Sequence, residues 1–297
     1  MAFKEDDILS PPKTIHNYQS GESTEENTFL FMPAWDNKTY YGCKLITATP
    51  SNRKTALPYI NGIYLLFDAS SGIPLIGMNA RLITNYRTAA TSALAASKLM
   101  RKSASELLIL GNGALSPFYI EAHMAVQPYE KIYLWGRNME KSKSVVKEVG
   151  DINAVDIVAV EHYRALLKTV DVISCITSSK EPLISQADLG KSQHLDLAGS
   201  FTPEMHEVST DVISSSHVYT DNLDTTPYHA GEIVSAIQSG FFEMEKIQDN
   251  LSGLCKMHRP PSTPPSINTL FKSTGMAIED LVIAQLLYRL YIEARTA

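Results

Sequence analysis

The segment from Leu107 to Asn138 constrains the fold more than any other. An apolar run, Leu107-Leu108-Ile109-Leu110, enters Gly111-Asn112-Gly113-Ala114-Leu115-Ser116, and a second apolar run, Ile132 to Trp135, ends at Gly136-Arg137-Asn138. That order predicts a strand, a glycine-tight turn, a helix and a second strand, the unit from which a parallel sheet is assembled. Pro117 suits the first turn of the helix, where its missing N–H costs nothing. Glycines at a strand-to-helix turn let the backbone approach a pyrophosphate, whose charge is met by amide groups at the helix N-terminus. Gly111, Asn112, Gly113, Ala114 and Leu115 are therefore expected to hold a dinucleotide. The third glycine of the usual fingerprint is Ser116 here, and a tight turn without a ligand is the plainer alternative.

The end of the second strand narrows the cofactor. A site for NAD usually places Asp or Glu there, about 20 residues beyond the glycines, to hydrogen-bond the ribose 2′-hydroxyl. In this chain Gly136-Arg137-Asn138 occupies that place and the next acid is Glu140. A carboxylate would repel a 2′-phosphate, whereas an arginine pairs with it and lies against the adenine face. Arg137 and Asn138 are expected at the adenosine end, and NADP(H) is favoured over NAD(H). A solvated surface arginine is the alternative.

A chain of 297 residues has room for two domains. Its 44% hydrophobic and 20% charged residues and net charge of −6 read as a soluble globular protein. No cluster of Lys and Arg is large enough to neutralise several phosphates, which argues against a nucleic-acid partner. No apolar run approaches about 18 residues, and the start Met1-Ala-Phe-Lys-Glu-Asp-Asp lacks the apolar core of a secretion signal. A cytoplasmic protein with no membrane partner is expected. Cys43, Cys175 and Cys255 are odd in number and far apart, so neither a disulfide framework nor a metal site is expected.

Three blocks follow along the chain. Residues 28 to 83 read as an antiparallel sheet, with strands at 28–32, 42–47, 63–67 and 74–78 and turn signals at Asn61-Gly62 and Ser70-Ser71-Gly72. Residues 16 to 27 read as a polar loop. The alanine-rich stretch from Thr84 to about Arg101 predicts a helix leading into the second block. There, strands at 107–110, 132–135, 154–158, 172–176, 194–198 and 217–220 alternate with helical text, which predicts a doubly wound parallel sheet of Rossmann type. After Pro260-Pro261-Ser262-Thr263-Pro264-Pro265 a helix is expected from about Thr274 to Arg295, apolar enough to pack back on the first block. The expected division is an α/β chain with a nucleotide-binding domain at 101–265. A smaller α+β domain would be built from both chain ends, 1–100 with 266–297.

Taken together these segments resemble the ornithine cyclodeaminase/mu-crystallin family. The resemblance spans nearly the whole chain and is carried by Met32-Pro-Ala, Gly42-Cys-Lys44-Leu, Leu66-Phe-Asp-Ala-Ser-Ser-Gly72-Ile-Pro-Leu, Thr84-Asn-Tyr-Arg87-Thr88-Ala-Ala, Gly111-Asn-Gly113, Trp135-Gly-Arg137-Asn and Thr177-Ser-Ser-Lys-Glu-Pro182-Leu. The most specific segment is Thr269-Leu-Phe-Lys-Ser-Thr-Gly-Met-Ala-Ile-Glu-Asp280. It implies a nicotinamide-binding domain to which Thr177 contributes. It also implies a substrate domain through which a homodimer forms, and chemistry at a C=N bond next to a carboxylate. Relatives usually carry a longer segment ahead of the Pro-Pro-basic motif, and the shorter one here is expected to loosen the substrate domain or to alter the dimer edge.

A small amino or imino acid is gripped by its carboxylate, for which Arg offers a two-pronged donor and Lys a point charge. Lys44 sits mid-strand and Arg87 at the opening of a helix, each among apolar or small residues. By resemblance Lys44 and Arg87 form the carboxylate clamp and the catalytic pair, with Thr84 nearby. Lys13, after Pro11-Pro12, stands where many relatives carry a further carboxylate-binding arginine. The alternatives are an edge-strand lysine for Lys44 and a structural ion pair with a neighbouring carboxylate for Arg87.

One departure narrows the reaction. Ornithine cyclodeaminases carry an aspartate after the fifth strand of the nucleotide domain in a Gly-x-Asp-x-Pro context, where it handles the distal amine. This chain reads Gly199-Ser200-Phe201-Thr202-Pro203, and a phenyl ring neither pairs with an ammonium nor moves a proton. Phe201 instead suits an apolar wall beside a compact ring. Glu207 keeps the family's later acid, and His206 is either a proton donor or a satisfied side chain. The resulting expectation is an NADPH-dependent reductase of cyclic ketimines, pyrroline-2-carboxylate or piperideine-2-carboxylate, giving proline or pipecolate. Ornithine cyclodeaminase, an alanine-type dehydrogenase and a non-catalytic NADPH-binding crystallin-like protein stay open.

Overall fold

The structure is a computed structural model and describes residues 8–19, 25–55, 57–150, 155–258, 261 and 263–296. The chain divides into two compact units, Met1–Thr88 with Gly275–Ala297, and Ala89–Thr274.

The smaller unit is built on an antiparallel sheet, as its alternating segments predict. Its strands are β1 (Ile8–Leu9), β2 (Thr14–Tyr18), β3 (Asn27–Asp36), β4 (Tyr40–Ala48), β5 (Ile60–Asp68) and β6 (Pro74–Asn79). β3 to β6 form a meander, and β1 and β2 both pair with β3. Two local expectations change. Residues 16–18, expected in a polar loop, belong to β2, because pairing with β3, His16 opposite Phe29, satisfies a backbone whose side chains alone carry little signal. Asn61-Gly62 lies inside β5, Gly62 opposite Ile46. A Cβ at Gly62 would meet the Leu45 carbonyl oxygen at 2.2 Å, so this glycine serves close strand approach rather than a turn. The turn at Ser70-Ser71-Gly72 does form, with the Asp68 carboxylate accepting the amides of Ser70 and Ser71.

Helix α1 (Ala80–Leu99) carries the chain from the smaller unit into the larger. The larger unit then runs β7 (Glu106–Leu110), α2 (Ser116–Val126), β8 (Lys131–Trp135), α3 (Met139–Gly150), β9 (Asp156–Val160), β10 (Val172–Cys175), β11 (His194–Leu197), α4 (Thr210–Ser215), β12 (Ser216–Thr220), α5 (Thr226–His229), α6 (Gly231–Gln238), β13 (Asp249–Asn250), α7 (Leu251–Lys256) and β14 (Asn268–Lys272). Among the described residues its strands form an eight-stranded sheet in the order β13-β12-β14-β11-β10-β7-β8-β9. Every pairing in it is parallel. Alternate residues of β7 supply the two faces: Leu108 and Leu110 join one apolar core, Leu107 and Ile109 the other. The chain order reverses between β7 and β10, and ligands in such sheets bind outside the carboxyl ends of the strands at that reversal.

Residues 268–272, expected in the smaller domain and not as a strand, form β14 between β11 and β12, and the units divide at Thr88/Ala89 and Thr274/Gly275 rather than at 100/101 and 265/266. The sequence hides it because both ends of the strand are polar while all five residues are buried. Asn268 accepts the Gln193 amide, and Lys272 donates to Ser200, so tertiary partners make burial affordable.

Helix α8 (Ala277–Thr296) completes the smaller unit. Its Ala277, Leu281 and Ala284 pack with Met32, Ala34, Tyr64 and Leu66 of the sheet and Ile83 of α1. No helix of the described residues is long and apolar enough to cross a membrane. Leu281 is fully buried in this core, so Leu281→Ala is expected to reduce stability by about 2–5 kcal/mol, read by urea unfolding followed by circular dichroism.

Candidate active site

The smaller unit gathers a compact group of buried charges. Lys44 lies in the middle of β4, which has β3 on one side and β5 on the other, so it is not an edge-strand lysine. Its Nζ donates to Asp280 Oδ1 at 2.8 Å and to Thr84 Oγ1 at 3.2 Å. Arg87 Nη1 donates to Glu279 Oε2 at 2.9 Å, and its Nε lies 3.4 Å from Asp280 Oδ1. Thr84 and Arg87, three residues apart, share one face of α1. Glu279 and Asp280 stand in the first turn of α8, where the helix dipole favours carboxylates. Lys44 is 1% exposed and Asp280 0%. Burial pulls the Lys44 ammonium down to about 8, Arg87 adding to the drop while Asp280 opposes it.

Lys44, Thr84 and Arg87 lie in one cluster, and each cation has a neighbouring carboxylate, the alternative reading of Arg87. Glu279 and Asp280 were not singled out. Their signal was two adjacent acids opening a helix whose following positions are largely apolar. Lys13 precedes β2 and adjoins the Thr14–Phe31 pair, in line with Met32, which is itself opposite Lys44.

In the larger unit the glycine turn joins β7 to α2. Gly111 has φ of 125°, a backbone that side chains rarely adopt, and a Cβ there would strike Ile176 at 2.8 Å. A Cβ at Gly113 would meet nothing within 4 Å. The protein itself does not require glycine at that position, and the open space beside it fits the close approach of a phosphate. Ser116, in the place of the third glycine, is fully buried and its hydroxyl donates to the Gly113 carbonyl at 2.7 Å, bracing the turn from within. The side chain of Asn112 donates to Asn138 O at 2.7 Å and to Ser142 Oγ at 2.9 Å. It ties the turn to the end of β8, where Asn138 Oδ1 accepts the Lys141 amide opening α3. Ala114 and Arg137 are exposed, and Leu115 is half-buried.

A profile of the ornithine cyclodeaminase/mu-crystallin family matches residues 5–294. The chain belongs to that family. Delta(1)-pyrroline-2-carboxylate reductase of Colwellia psychrerythraea is 30% identical over 276 residues, 92% of this chain and 87% of that protein. The structure of Thermococcus litoralis Delta(1)-pyrroline-2-carboxylate reductase in complex with NADH and L-proline superposes with a TM-score of 0.90 at 25% identity, covering 99% of this chain and 91% of that one. An archaeal alanine dehydrogenase dimer with bound NAD shares the fold, with a TM-score of 0.89 at 23% identity and coverage of 99% and 89%.

In this family member the loops after β10 and β11 are tied together. Thr177 follows β10, and both its amide and its hydroxyl donate to Glu207 Oε1, at 2.7 and 3.1 Å. Its hydroxyl is therefore engaged by the protein itself. Phe201 follows β11 and is 43% exposed. His206 bonds Ser235 through Nε2 at 2.8 Å, which agrees with a satisfied side chain.

Removing one member of a fully buried ion pair leaves the other uncompensated. Asp280→Asn is expected to cost about 3–5 kcal/mol in urea unfolding, whereas Lys44→Met combined with Asp280→Leu costs much less.

Proposed function

We propose that this protein is an NAD(P)H-dependent reductase of cyclic ketimines, converting pyrroline-2-carboxylate or piperideine-2-carboxylate to proline or pipecolate. The observation that carries this reading is the buried Lys44–Arg87 pair with Thr84. Buried ion pairs contribute little net stability, because desolvation offsets their attraction, so two cations enclosed in one small unit call for another purpose. An imine carbon that bears a carboxylate presents the anion that such a pair recognises. The relatives named for pyrroline-2-carboxylate reduction support the same substrate class.

Arg87 offers its planar fork and Lys44 its ammonium to the substrate carboxylate, each bond contributing on the order of 1.5–3 kcal/mol. Glu279 and Asp280 hold both cations in place, and Thr84 fixes the Lys44 ammonium. Lys44 keeps the charge that holds the carboxylate below about pH 8, and a protonated imine is already electron-poor at the adjacent carbon. Lys13 adds a further positive charge, and Phe201 an apolar wall in place of the acid that ornithine chemistry needs. Gly111, Gly113 and the first turn of α2 are suited to the dinucleotide pyrophosphate. When bound, the reduced nicotinamide supplies the hydride for the imine carbon. NADPH is favoured over NADH because Arg137 is exposed at the end of β8, while Glu140, the next acid, is engaged by Lys143 at 2.7 Å.

The test is hydride transfer from NADPH and NADH to both cyclic ketimines, with ornithine and with pyruvate plus ammonia as competing substrates. Turnover of the ketimines with NADPH is expected. Arg87→Met raises KM by about 10- to 100-fold. For the free enzyme, kcat/KM falls as pH rises through about 8, where Lys44 loses its proton, and Lys44→Met removes that limb. Turnover of ornithine alone, or NADPH binding without turnover, would overturn the assignment.

A homodimer through the smaller unit is part of the proposal. The sheet face opposite its core carries Phe29, Phe31, Trp35, Leu45, Ile63 and Phe67, with Phe31, Leu45 and Ile63 in one cross-strand row. Phe31 and Ile63 are each more than a third exposed. Such an apolar face marks an association surface. Light scattering is expected to give about twice 32.8 kDa, and Leu45→Glu to return the monomer mass. A monomeric wild type would refute the dimer.

A further inference from the structure

The larger unit contains a buried charge cluster that the proposed chemistry leaves unused. Lys272, at the end of β14, is fully buried, as are Glu207 and Glu232. Lys272 Nζ donates to Ser200 Oγ at 2.9 Å and stands 3.1 Å from Glu232 Oε1 and 3.8 Å from Glu207 Oε2. Ser200 in turn donates its hydroxyl to Glu232 Oε2. Glu207 accepts the Thr177 amide and hydroxyl on one oxygen, and on the other the amides of Gly199 and Ser200 at 2.8 and 3.2 Å.

Three side chains therefore fasten the segments leaving β10, β11 and β14 to the start of α6. A buried triad of this kind is often no more stabilising than apolar side chains of the same volume. What it does supply is direction, since its bonds go to backbone groups at the carboxyl edge of a parallel sheet, the edge at which dinucleotides bind. Phe201 is the next residue after the doubly held Ser200.

We infer that Lys272, Glu207 and Glu232 form a positioning unit that sets the loops after β10 and β11 for dinucleotide binding, and with them the level of Phe201. The inference rests on the reading of the larger unit as the dinucleotide site. The three residues act through Thr177, Gly199 and Ser200 and are positioning residues, not catalytic ones.

The arrangement is sensitive to pH. Burial pushes the Glu207 carboxyl up to about 7, with Glu232 adding to the rise and Lys272 and the amides of Thr177 and Gly199 opposing it. Lys272 faces it from β14, Glu232 from α6 and the Cys175 thiol from β10, with Asp196 of β11 also acting on that thiol. Three of the four groups bonded to Glu207 are backbone amides that only donate, and protonating the carboxyl removes the negative charge that strengthens those bonds, while only the Thr177 hydroxyl can accept its O–H. The loops are held below the neutral range less firmly than above it.

The experiment is fluorescence titration of the full chain with NADPH between pH 6.5 and 8, for wild type, Glu207→Gln, Lys272→Met and Ser200→Ala. Wild-type Kd is expected to rise severalfold as pH falls across that range. Glu207→Gln should bind about tenfold more weakly with the pH dependence removed, Lys272→Met about tenfold more weakly, and Ser200→Ala about threefold. Circular dichroism and unfolding curves check each fold; if the charge variants do not fold, Ser200→Ala decides alone. Wild type that binds NADPH, beside folded variants with unchanged Kd and pH dependence, overturns the inference while leaving the dinucleotide reading intact. Wild type that binds neither NADPH nor NADH overturns both.

Discussion

The ion pairs between Lys44 and Asp280 and between Arg87 and Glu279 are the interaction on which the smaller unit turns. They join residues 236 and 192 positions apart and so fasten the last helix to a sheet and a helix made near the beginning. Each partner alone would be an expensive buried charge. Together they form a balanced set of two cations and two carboxylates, rigid enough to keep a guanidinium and an ammonium in fixed relation. Rigidity of this kind is what anion recognition needs, because the ordering of the long side chains is completed when the chain folds rather than when a ligand arrives.

At its glycine turn the larger unit reaches rigidity with neutral groups. The glycine turn is held in shape by hydrogen bonds within the protein. Ser116 returns to the Gly113 carbonyl, and Asn112 reaches across to Asn138 and Ser142. A serine in place of the third glycine is therefore a brace and not a defect. Two residues that sequence reading assigns to the cofactor, Asn112 and Thr177, spend their side chains on neighbouring loops. Each side chain fixes the backbone of the loop that it reaches.

Much of this was legible beforehand. The period-two apolar runs gave the meander of the smaller unit, and the alternation of apolar runs with helical text gave the parallel sheet. Lys44 and Arg87 stood out because a charge among apolar neighbours demands a partner. Local pattern failed where the deciding term was tertiary. β2 is polar and becomes a strand only by pairing with β3. Asn61-Gly62 has turn chemistry and sits mid-strand, where the glycine lets β4 approach. β14 has polar ends that look like loop until Ser200 and Gln193 are present to receive them.

By itself the sequence determined the class of fold, the turn at Gly111 to Ser116 and the pair of basic residues in the smaller unit, since each depends on residue types at short spacing. Which carboxylates neutralise that pair, where β14 inserts, and how Lys272 comes to lie among Glu207, Glu232 and Ser200 were decided only by the tertiary structure. Those contacts link residues far apart in the chain. Their free energy depends on burial and distance, which no local pattern records.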